Sequence, residues 1–296
     1  MGPFFIQCQK VFSEAQPPEL AKSTLRTKGY HITLLLDYLE CKGIKDFTNF
    51  EIGKIYEFIT SLSFASQTIS SIEFSIREFF DIMFTRKLSP VDGRQIFPVI
   101  FTNKRDRIIS YYQSEEVQSL VNAIDINAPD GVRDKCMVLL AAQTGLRASD
   151  IIQLTLEEIK WDKDIISKKQ QKTKLQVQVP LPRNLKLLLL DYIKNYRIET
   201  NERYVFICPE THSRYCNTEL YFVVRKYFLK AEIDIGNRRH GPHALRHSLA
   251  SNLLKNNTPM PVITGILGHK NLNTTSKYLS IDVESLRECC LEVPHV

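Results

Sequence analysis

Hydrophobic residues recur at helical spacing through the first third of the chain. The segment Ser23–Cys41 carries apolar and aromatic side chains three and four residues apart, and Gly43 ends the pattern. The same periodicity returns over Thr48–Leu62 and Ser66–Lys87. Because each predicted helix has one apolar stripe, the helices are expected to bury those stripes against one another. The pattern predicts a small helical bundle.

Helical periodicity then stops. Proline, glycine and charged residues interrupt it between Ser89 and Arg107, as is typical of a linker. The sequence therefore predicts two domains, an amino-terminal helical domain over residues 1–95 and a second domain over residues 111–296, joined by a linker over residues 96–110.

The second region mixes helical and alternating patterns. Val177 and Val179 alternate with glutamines, which predicts strands at Ile165–Lys168 and Leu175–Leu181 with a turn carrying Lys172 between them. Ser114 is expected to cap the first helix of the region. The predicted helices span Ser114–Ala123, Gly131–Gln143, Asn184–Tyr196, Asn217–Ala231, His243–Asn256 and Val262–Leu267. The expected fold class is mainly α with a small antiparallel β-sheet in the second domain.

Composition narrows the class of protein. The chain has 296 residues, 43% of them hydrophobic, which is enough for one large core or two modest ones. It has neither a membrane-spanning run nor the pattern of a signal peptide, so we expect a cytoplasmic protein without a membrane partner. Its seven cysteines are odd in number and contain no C-x-x-C pair, which favours reduced structural thiols.

The net charge of +6 is unevenly distributed. Basic and acidic residues are equal in number up to Asn103, so the whole excess lies from Lys104 onward. Lysines and arginines displace counterions from phosphates, and a basic surplus in one region is therefore a weak indication of nucleic-acid binding. A solvated basic face explains the same surplus equally well.

Five residues in the second region suit chemistry on a phosphodiester. Arg147 lies in the run Thr-Gly-Leu-Arg-Ala-Ser-Asp, His243 and Arg246 lie in His-Ala-Leu-Arg-His, His269 follows Leu-Gly, and Tyr278 comes nine residues later. Arginine stays charged and donates paired hydrogen bonds to phosphate oxygens. A phenolate can attack phosphorus. Such a set requires no metal and no cofactor.

Three of these residues also have a structural interpretation. Arg147 can satisfy carbonyls at a helix end, Arg246 can be a salt-bridged surface residue, and His269 can be structural in its Gly-x-Leu-Gly turn. His243 and Arg246 are three residues apart and share a helix face. His247 lies about 100° further around that helix and is expected to be a buried, hydrogen-bonding histidine.

The sequence runs, or boxes, that contain Arg147, His243 with Arg246, His269 and Tyr278 occur in an order that resembles the tyrosine recombinase (phage integrase) family, and within it the Xer-like recombinases. The resemblance covers most of the chain, because the helical first region is also similar to the core-binding domain of the family. It implies that Tyr278 is the nucleophile, that Arg147, Arg246 and His269 bind the scissile phosphate, and that His243 accepts or orients the phenolic proton.

The resemblance also implies a general acid on the predicted hairpin. Lys172 matches the lysine that protonates the leaving 5′-oxygen, although Lys168, Lys169 and Lys174 lie nearby. Asp150 stands where the family more often has glutamate, and a structural role is expected for it.

The implied activity is site-specific cleavage and rejoining of DNA through a 3′-phosphotyrosine, without metal or ATP. The implied partners are double-stranded DNA bearing a specific recombination site and a homotetramer on two such sites. The tail containing Val283, Leu286 and Leu291 is amphipathic and resembles the segment that family members exchange between neighbours. A bacterial or mobile-element origin is expected.

Three other classes compete with this interpretation. A type IB topoisomerase uses a similar residue set, but the length and the two-domain layout favour a recombinase. A nonenzymatic DNA-binding module explains the basic region and not the phosphate-centred residues. A metal-dependent transposase needs clustered carboxylates, and the sequence has none at convincing spacing.

Overall fold

The buried hydrophobic residues of the first unit and those of the second unit form separate clusters. The computed structural model describes residues 1–48, 50–97, 110–269, 274–276 and 278. The chain forms two compact units, Met1–Asn103 and Lys104–Val296. As expected from the sequence, the fold is mainly helical with small antiparallel sheets.

The first unit is a bundle of helices around an aromatic core. Phe5, Phe12, Phe47, Phe79 and Phe80 are all buried in it, and their rings pack edge-on or tilted against one another. Its helices are α1 (Pro3–Glu14), α2 (Lys22–Cys41), α3 (Gly53–Ser61), α4 (Ser66–Thr85) and the short α5 (Gly93–Ile96).

Three features of this bundle differ from the sequence prediction. The short helix α5 lies where helical periodicity was expected to have stopped. Helix α1 was not predicted, although Phe5, Cys8 and Phe12 are spaced to share its buried face. Helix α3 begins at Gly53 rather than Thr48, because the Asp46 carboxylate accepts the Thr48 backbone N–H at 2.8 Å and holds this stretch in a turn.

The predicted linker is only partly covered by the described residues. Ile96 and Phe97, at its start, are buried in the core of the first unit, and residues 98–109 lie outside the described part of the chain.

The second unit places helices around a three-stranded antiparallel sheet. The strands are β1 (Ile159–Lys160), β2 (Ile165–Lys169) and β3 (Gln176–Pro180), in the order β1-β2-β3, and a second pair is formed by β4 (Ile207–Cys208) and β5 (Ser213–Arg214). The helices are α6 (Ser114–Asn122), α7 (Gly131–Leu139), α8 (Ala148–Ile152), α9 (Arg183–Asp191), α10 (Glu219–Lys230), α11 (Pro242–Lys255) and α12 (Met260–Leu267). Helices α7 and α9 each continue into a π-helical turn, Leu140–Thr144 and Tyr192–Tyr196.

The predicted hairpin is present. Strands β2 and β3 pair from Ile165 opposite Pro180 to Lys169 opposite Gln176, and the turn between them carries Lys172. The predicted cap at Ser114 is wrong: Gln113 is the residue that precedes the first turn of α6, and its backbone N–H is accepted by Glu116 at 2.8 Å.

Three other expectations concern the carboxyl-terminal tail, the cysteines and the membrane. The amphipathic segment with Val283, Leu286 and Leu291 lies outside the described residues. Within the described part, five cysteines are free thiols, Cys8, Cys41, Cys136, Cys208 and Cys216. None of the helices described is long and apolar enough to cross a membrane.

Candidate active site

Arg147 lies just after a sharp helix end. The π-helical turn that follows α7 ends at Gly145, whose φ of 64° is left-handed, and a Cβ there would lie 2.9 Å from Leu249. Arg147 then precedes the first turn of α8. Its Nη1 donates to the side-chain oxygen of Gln170, and burial lowers its pKa, whereas Asp150 and Tyr278 act in the opposite direction.

Arg246 is buried, with 3% of its surface exposed. It lies on α11, and its guanidinium donates to two backbone carbonyls, from Nη1 to Gly145 and from Nη2 to Leu267 at 2.5 Å. Burial, followed by the nearby charge of Arg147, lowers its pKa to about 10. The interpretation as a salt-bridged surface arginine is wrong, because the residue is buried and forms no ion pair within the part of the chain that the structure describes.

Gln170 joins the two arginines and was missed by the sequence reasoning. Its amide is fully buried at the end of β2, its oxygen also accepts the Thr173 hydroxyl at 2.7 Å, and its nitrogen donates to the Leu267 carbonyl at 3.2 Å. Arg246 donates to the same carbonyl. The signal was the strand alternation, since Ile166, Lys168 and Gln170 all lie on the buried face.

Asp150 anchors the hairpin turn from the other side. It is fully buried, and its Oδ1 accepts the backbone N–H of Gln171 at 2.8 Å. Its Oδ2 is also buried and has no hydrogen-bond partner among the described atoms. Burial raises its pKa, although Arg147, Lys168 and Arg246 act against the shift. These contacts agree with the structural role expected from the sequence.

Tyr278 contacts His247. Its hydroxyl lies 2.6 Å from His247 Nδ1, and its ring is fully buried beside Ala250, Ile263 and Leu267. Burial raises its pKa to about 12, whereas the charges of Arg246 and Arg147 act to lower it. His247 is hydrogen-bonded, as expected, but it is only half-buried.

The two predicted histidines of the site occupy different environments. His269 follows Gly268, whose φ of 59° ends α12, and its Nδ1 lies 2.8 Å from the Thr275 hydroxyl. Thr275 also accepts the Thr264 hydroxyl at 2.9 Å. His243 lies in the first turn of α11 and is exposed.

The hairpin lysines differ in their surroundings. Lys172 is exposed in the turn and has no hydrogen-bond or ion-pair partner among the described residues. Lys168 is buried and is held by Glu158 at 2.7 Å and by the Gln153 carbonyl at 2.5 Å. Lys169 and Lys174 are exposed. Of the four lysines, Lys168 is thus already bound by Glu158 and Gln153, whereas Lys172 lies two residues after Gln170, which connects the two arginines.

The arrangement therefore brings two guanidinium groups and one phenol together. Arg147, Arg246 and Tyr278 are close enough to change one another's pKa, and Gln170 connects the arginines to the hairpin. Two adjacent cations beside a phenol can bind a phosphodiester and stabilise the charge that develops when it is attacked. Among the described residues, no group of three or more His, Cys, Asp or Glu is placed to hold a metal ion.

This fold and site define the class of the tyrosine recombinases, and the comparisons with known proteins agree. The model of the phage integrase family matches residues 111–285, so the chain belongs to the phage integrase family. It is a tyrosine-type site-specific recombinase of the Xer-like kind.

Individual relatives of the chain are also integrases or tyrosine recombinases. A putative integrase/recombinase, y4gC, of Sinorhizobium fredii is 32% identical over 59% of this chain and 90% of its own length. Tyrosine recombinase XerD of Vibrio vulnificus is 26% identical over 86% of this chain and 80% of its own. Two further S. fredii relatives are longer, and the chain spans 42% and 44% of their lengths.

A solved structure supports the fold over both units. The XerH site-specific recombinase in a post-cleavage complex with palindromic difH superimposes with a TM-score of 0.76 at 19% identity, covering 96% of this chain and 83% of that one.

Proposed function

We propose that Tyr278 attacks a DNA phosphodiester and forms a 3′-phosphotyrosine while a 5′-hydroxyl leaves. The observation that carries this proposal is the position of the Tyr278 phenol: burial raises its pKa, and the charges of the nearby Arg246 and Arg147 act against that rise. A phenol is a poor nucleophile while it is protonated, and adjacent cations favour the phenolate. Cations that stabilise a phenolate also stabilise the negative charge of the phosphate under attack.

The other residues supply binding and proton transfer. Arg147 and Arg246 bind the two non-bridging oxygens of the phosphate, and His269 and His243 complete the anion site. Lys172 protonates the departing 5′-oxygen, and its exposed position on the β2–β3 turn, without an internal partner among the described residues, supports this role. Each well-placed donor contributes about 3 to 4 kcal/mol of transition-state stabilisation.

The covalent intermediate makes strand exchange possible. The phosphotyrosine retains the energy of the broken phosphodiester, so a 5′-hydroxyl from another strand can reverse the attack without ATP. The cations of the site are side chains, and the step as written needs no metal ion. Tyr278 leaves as a phenol once the new phosphodiester forms.

The substrate of the protein is double-stranded DNA carrying a specific recombination site. Solved relatives are described as bound to DNA, among them the XerH complex with difH and a lambda integrase dimer on a core site. The helical unit Met1–Asn103 serves as the core-binding domain on this DNA. Four protomers act on two sites and exchange their carboxyl-terminal segments, and the protein works in the cytoplasm, where its substrate lies.

A mobile element is the proposed genetic setting. Solved structures of the Tn1549 transposon integrase cover 95% of this chain with a TM-score of 0.70. Their identity to this chain is 14%, so the support comes from shape alone.

A covalent-adduct assay tests the function. The binding site is first selected from a pool of random duplexes, and the protein is then incubated with that site, nicked near the cleavage position, in EDTA. We expect a protein–DNA adduct that survives denaturation, forms equally in Mg²⁺ and EDTA, and is absent in Tyr278→Phe. An adduct that forms in Tyr278→Phe, or that needs the metal ion, contradicts the proposal.

Two further measurements sharpen the test. Relaxation of supercoiled plasmids that lack the selected site would identify a topoisomerase instead. Replacing the 5′-bridging oxygen by sulfur removes the need for an acid, and it should restore most of the cleavage that Lys172→Ala loses. Equal defects on oxygen and sulfur substrates would assign the acid to another residue.

A further inference from the structure

The imidazole that contacts the Tyr278 hydroxyl belongs to His247. The distance from its Nδ1 to the phenolic oxygen is 2.6 Å, and the two ring centroids are 5.5 Å apart. The family resemblance assigned the phenolic proton to His243, which lies exposed one turn earlier on α11. The described geometry therefore puts a second histidine of the same helix directly on the reacting atom.

The phenol needs a proton acceptor. Burial raises its pKa to about 12, so at neutral pH the phenol is almost entirely protonated. Two charged groups of the described residues, Arg246 and Arg147, favour the phenolate and yet cannot accept its proton, because a guanidinium has no acceptor atom. They lower the energy of the product of proton transfer and leave the transfer itself to another group.

The backbone of His247 and the ring of Tyr278 are each held by their surroundings. Its backbone lies within α11, where its carbonyl accepts the Ser251 hydroxyl at 2.9 Å. The phenol in turn is held by packing against Ile263 and Leu267 and by its own backbone N–H, which donates to Thr275 at 3.0 Å. A short contact between two groups that are each held by their surroundings is the arrangement that proton transfer requires.

We propose that His247 is the general base of the cleavage step, an inference that rests on the proposed function of Tyr278. In its neutral form, with the proton on Nε2, His247 presents the lone pair of Nδ1 to the phenol. The phenolic O–H bond breaks and the proton moves to Nδ1, giving an imidazolium. The phenolate oxygen forms the bond to phosphorus, the bond from phosphorus to the 5′-oxygen breaks, and Lys172 protonates that oxygen.

The reverse step uses the same groups. When a 5′-hydroxyl attacks the phosphotyrosine, Lys172 takes its proton, and the His247 imidazolium returns a proton to the departing phenolate. The exposed His243 is then left to bind phosphate, beside Arg246 on the same helix face. The two histidines of the His-Ala-Leu-Arg-His box thus have separate tasks.

The test compares two single-turnover rates of adduct formation on the selected nicked site, in wild type and in His247→Gln. Glutamine keeps a hydrogen bond to the phenol and cannot take its proton. The matched control is His212→Gln, the same substitution at an exposed histidine between β4 and β5. Thermal melting and DNA affinity of each variant confirm that it is folded and bound.

We expect His247→Gln to slow adduct formation by about 100-fold or more, equally on oxygen and 5′-sulfur substrates, whereas His212→Gln reacts at the wild-type rate. The wild-type rate should rise with pH and level off once the histidine is neutral, whereas the variant rate should keep rising to pH 9.5, because its proton goes to solvent.

Three outcomes overturn the inference: a variant within about threefold of wild type, a defect that 5′-sulfur removes, or a pH profile parallel to wild type, which a purely structural role would give. Failure of the proposed function looks different, because wild type itself would then form no Tyr278-dependent adduct.

Discussion

A single methyl group at Gly268 should disturb the site more than its size suggests. Gly268 ends α12 with a left-handed φ of 59°, immediately before His269. A Cβ at this position would lie 2.4 Å from the side-chain nitrogen of Gln170 and 2.6 Å from a methyl carbon of Val177 on β3. Real Cβ atoms do not approach other atoms this closely, so Gly268→Ala must move either the Gln170 amide or the strand.

The cost has three parts. Placing a side chain in the left-handed region costs about 1 to 2 kcal/mol. Displacing Gln170 breaks its hydrogen bond to the Leu267 carbonyl, which contributes about 1 kcal/mol. Overpacking against the buried Val177 adds about 1 to 3 kcal/mol. The substitution should therefore lower the free energy of unfolding of the second unit by about 3 to 6 kcal/mol, or its melting temperature by about 6 to 24 °C.

The matched control lies three residues earlier. Gly265 is inside α12, and a Cβ there would meet no atom within 4 Å. Gly265→Ala should stabilise by up to about 1 kcal/mol through helix propensity. The unfolding of both variants is measured in the full chain by circular dichroism, during heating and in urea. Adduct formation is measured below the melting range. There, loss of the hydrogen bond between Gln170 and Arg147 should slow cleavage in Gly268→Ala alone. If the two alanine variants melt within 2 °C of each other, the steric reasoning is wrong.

Three further predictions concern charged residues. Asp134→Ala should lower the free energy of unfolding in urea by about 3 kcal/mol, because this fully buried carboxylate pairs with the largely buried Arg133 at 2.6 Å. Lys226→Ala removes a half-exposed partner of the same carboxylate and should lower it by less than about 1 kcal/mol. Burial raises the pKa of Asp150, so the folded state binds its proton more tightly than the unfolded chain does. Asp150→Asn should therefore melt at a higher temperature than wild type at pH 7, and this difference should shrink as the pH falls toward 4. A difference that grows on acidification would contradict this prediction. Arg147→Ala and Arg246→Ala should abolish adduct formation in the nicked-site assay while retaining much of the DNA affinity, and near-normal cleavage by either variant would exclude that arginine from the phosphate site.

The spacing of hydrophobic residues was sufficient to predict most of the longer helices and the β2–β3 hairpin. The stripe of α4 and the alternation of β2 and β3 are set by which face meets the core, and both elements are found within two residues of their predicted bounds. Two of the errors arose where short-range hydrogen bonds override periodicity. The Asp46 turn delays α3, and Gln113 rather than Ser114 precedes α6.

The site was predictable in part only. The boxes around Arg147, Arg246 and Tyr278 are visible as sequence runs, and the structure brings them together. The alternation of β2 places Gln170 on the buried face, and His247 was expected to form a hydrogen bond. Their partners were not visible in the sequence, because Leu267 and Tyr278 lie 97 and 31 residues away along the chain. No periodic pattern encodes a hydrogen bond of that span.

The two glycines of the boxes explain how Arg246 can be buried and still bind an anion. Gly145 and Gly268 both take left-handed conformations at helix ends, and the carbonyls of Gly145 and Leu267 accept hydrogen bonds from the same guanidinium. Carbonyls at the carboxyl end of a helix carry a partial negative charge, so two helix ends offset the cost of burying this cation. The charge of the buried Asp150 also acts on Arg246, but no ion pair joins the two among the described residues. A carboxylate bonded to the guanidinium would neutralise the arginine and compete with phosphate for its remaining N–H groups. Compensation by carbonyls leaves the charge of Arg246 available to a phosphate. The Thr-Gly-Leu-Arg and Leu-Gly-His runs lie 120 residues apart in the chain, and each contributes one of these carbonyls to the same arginine.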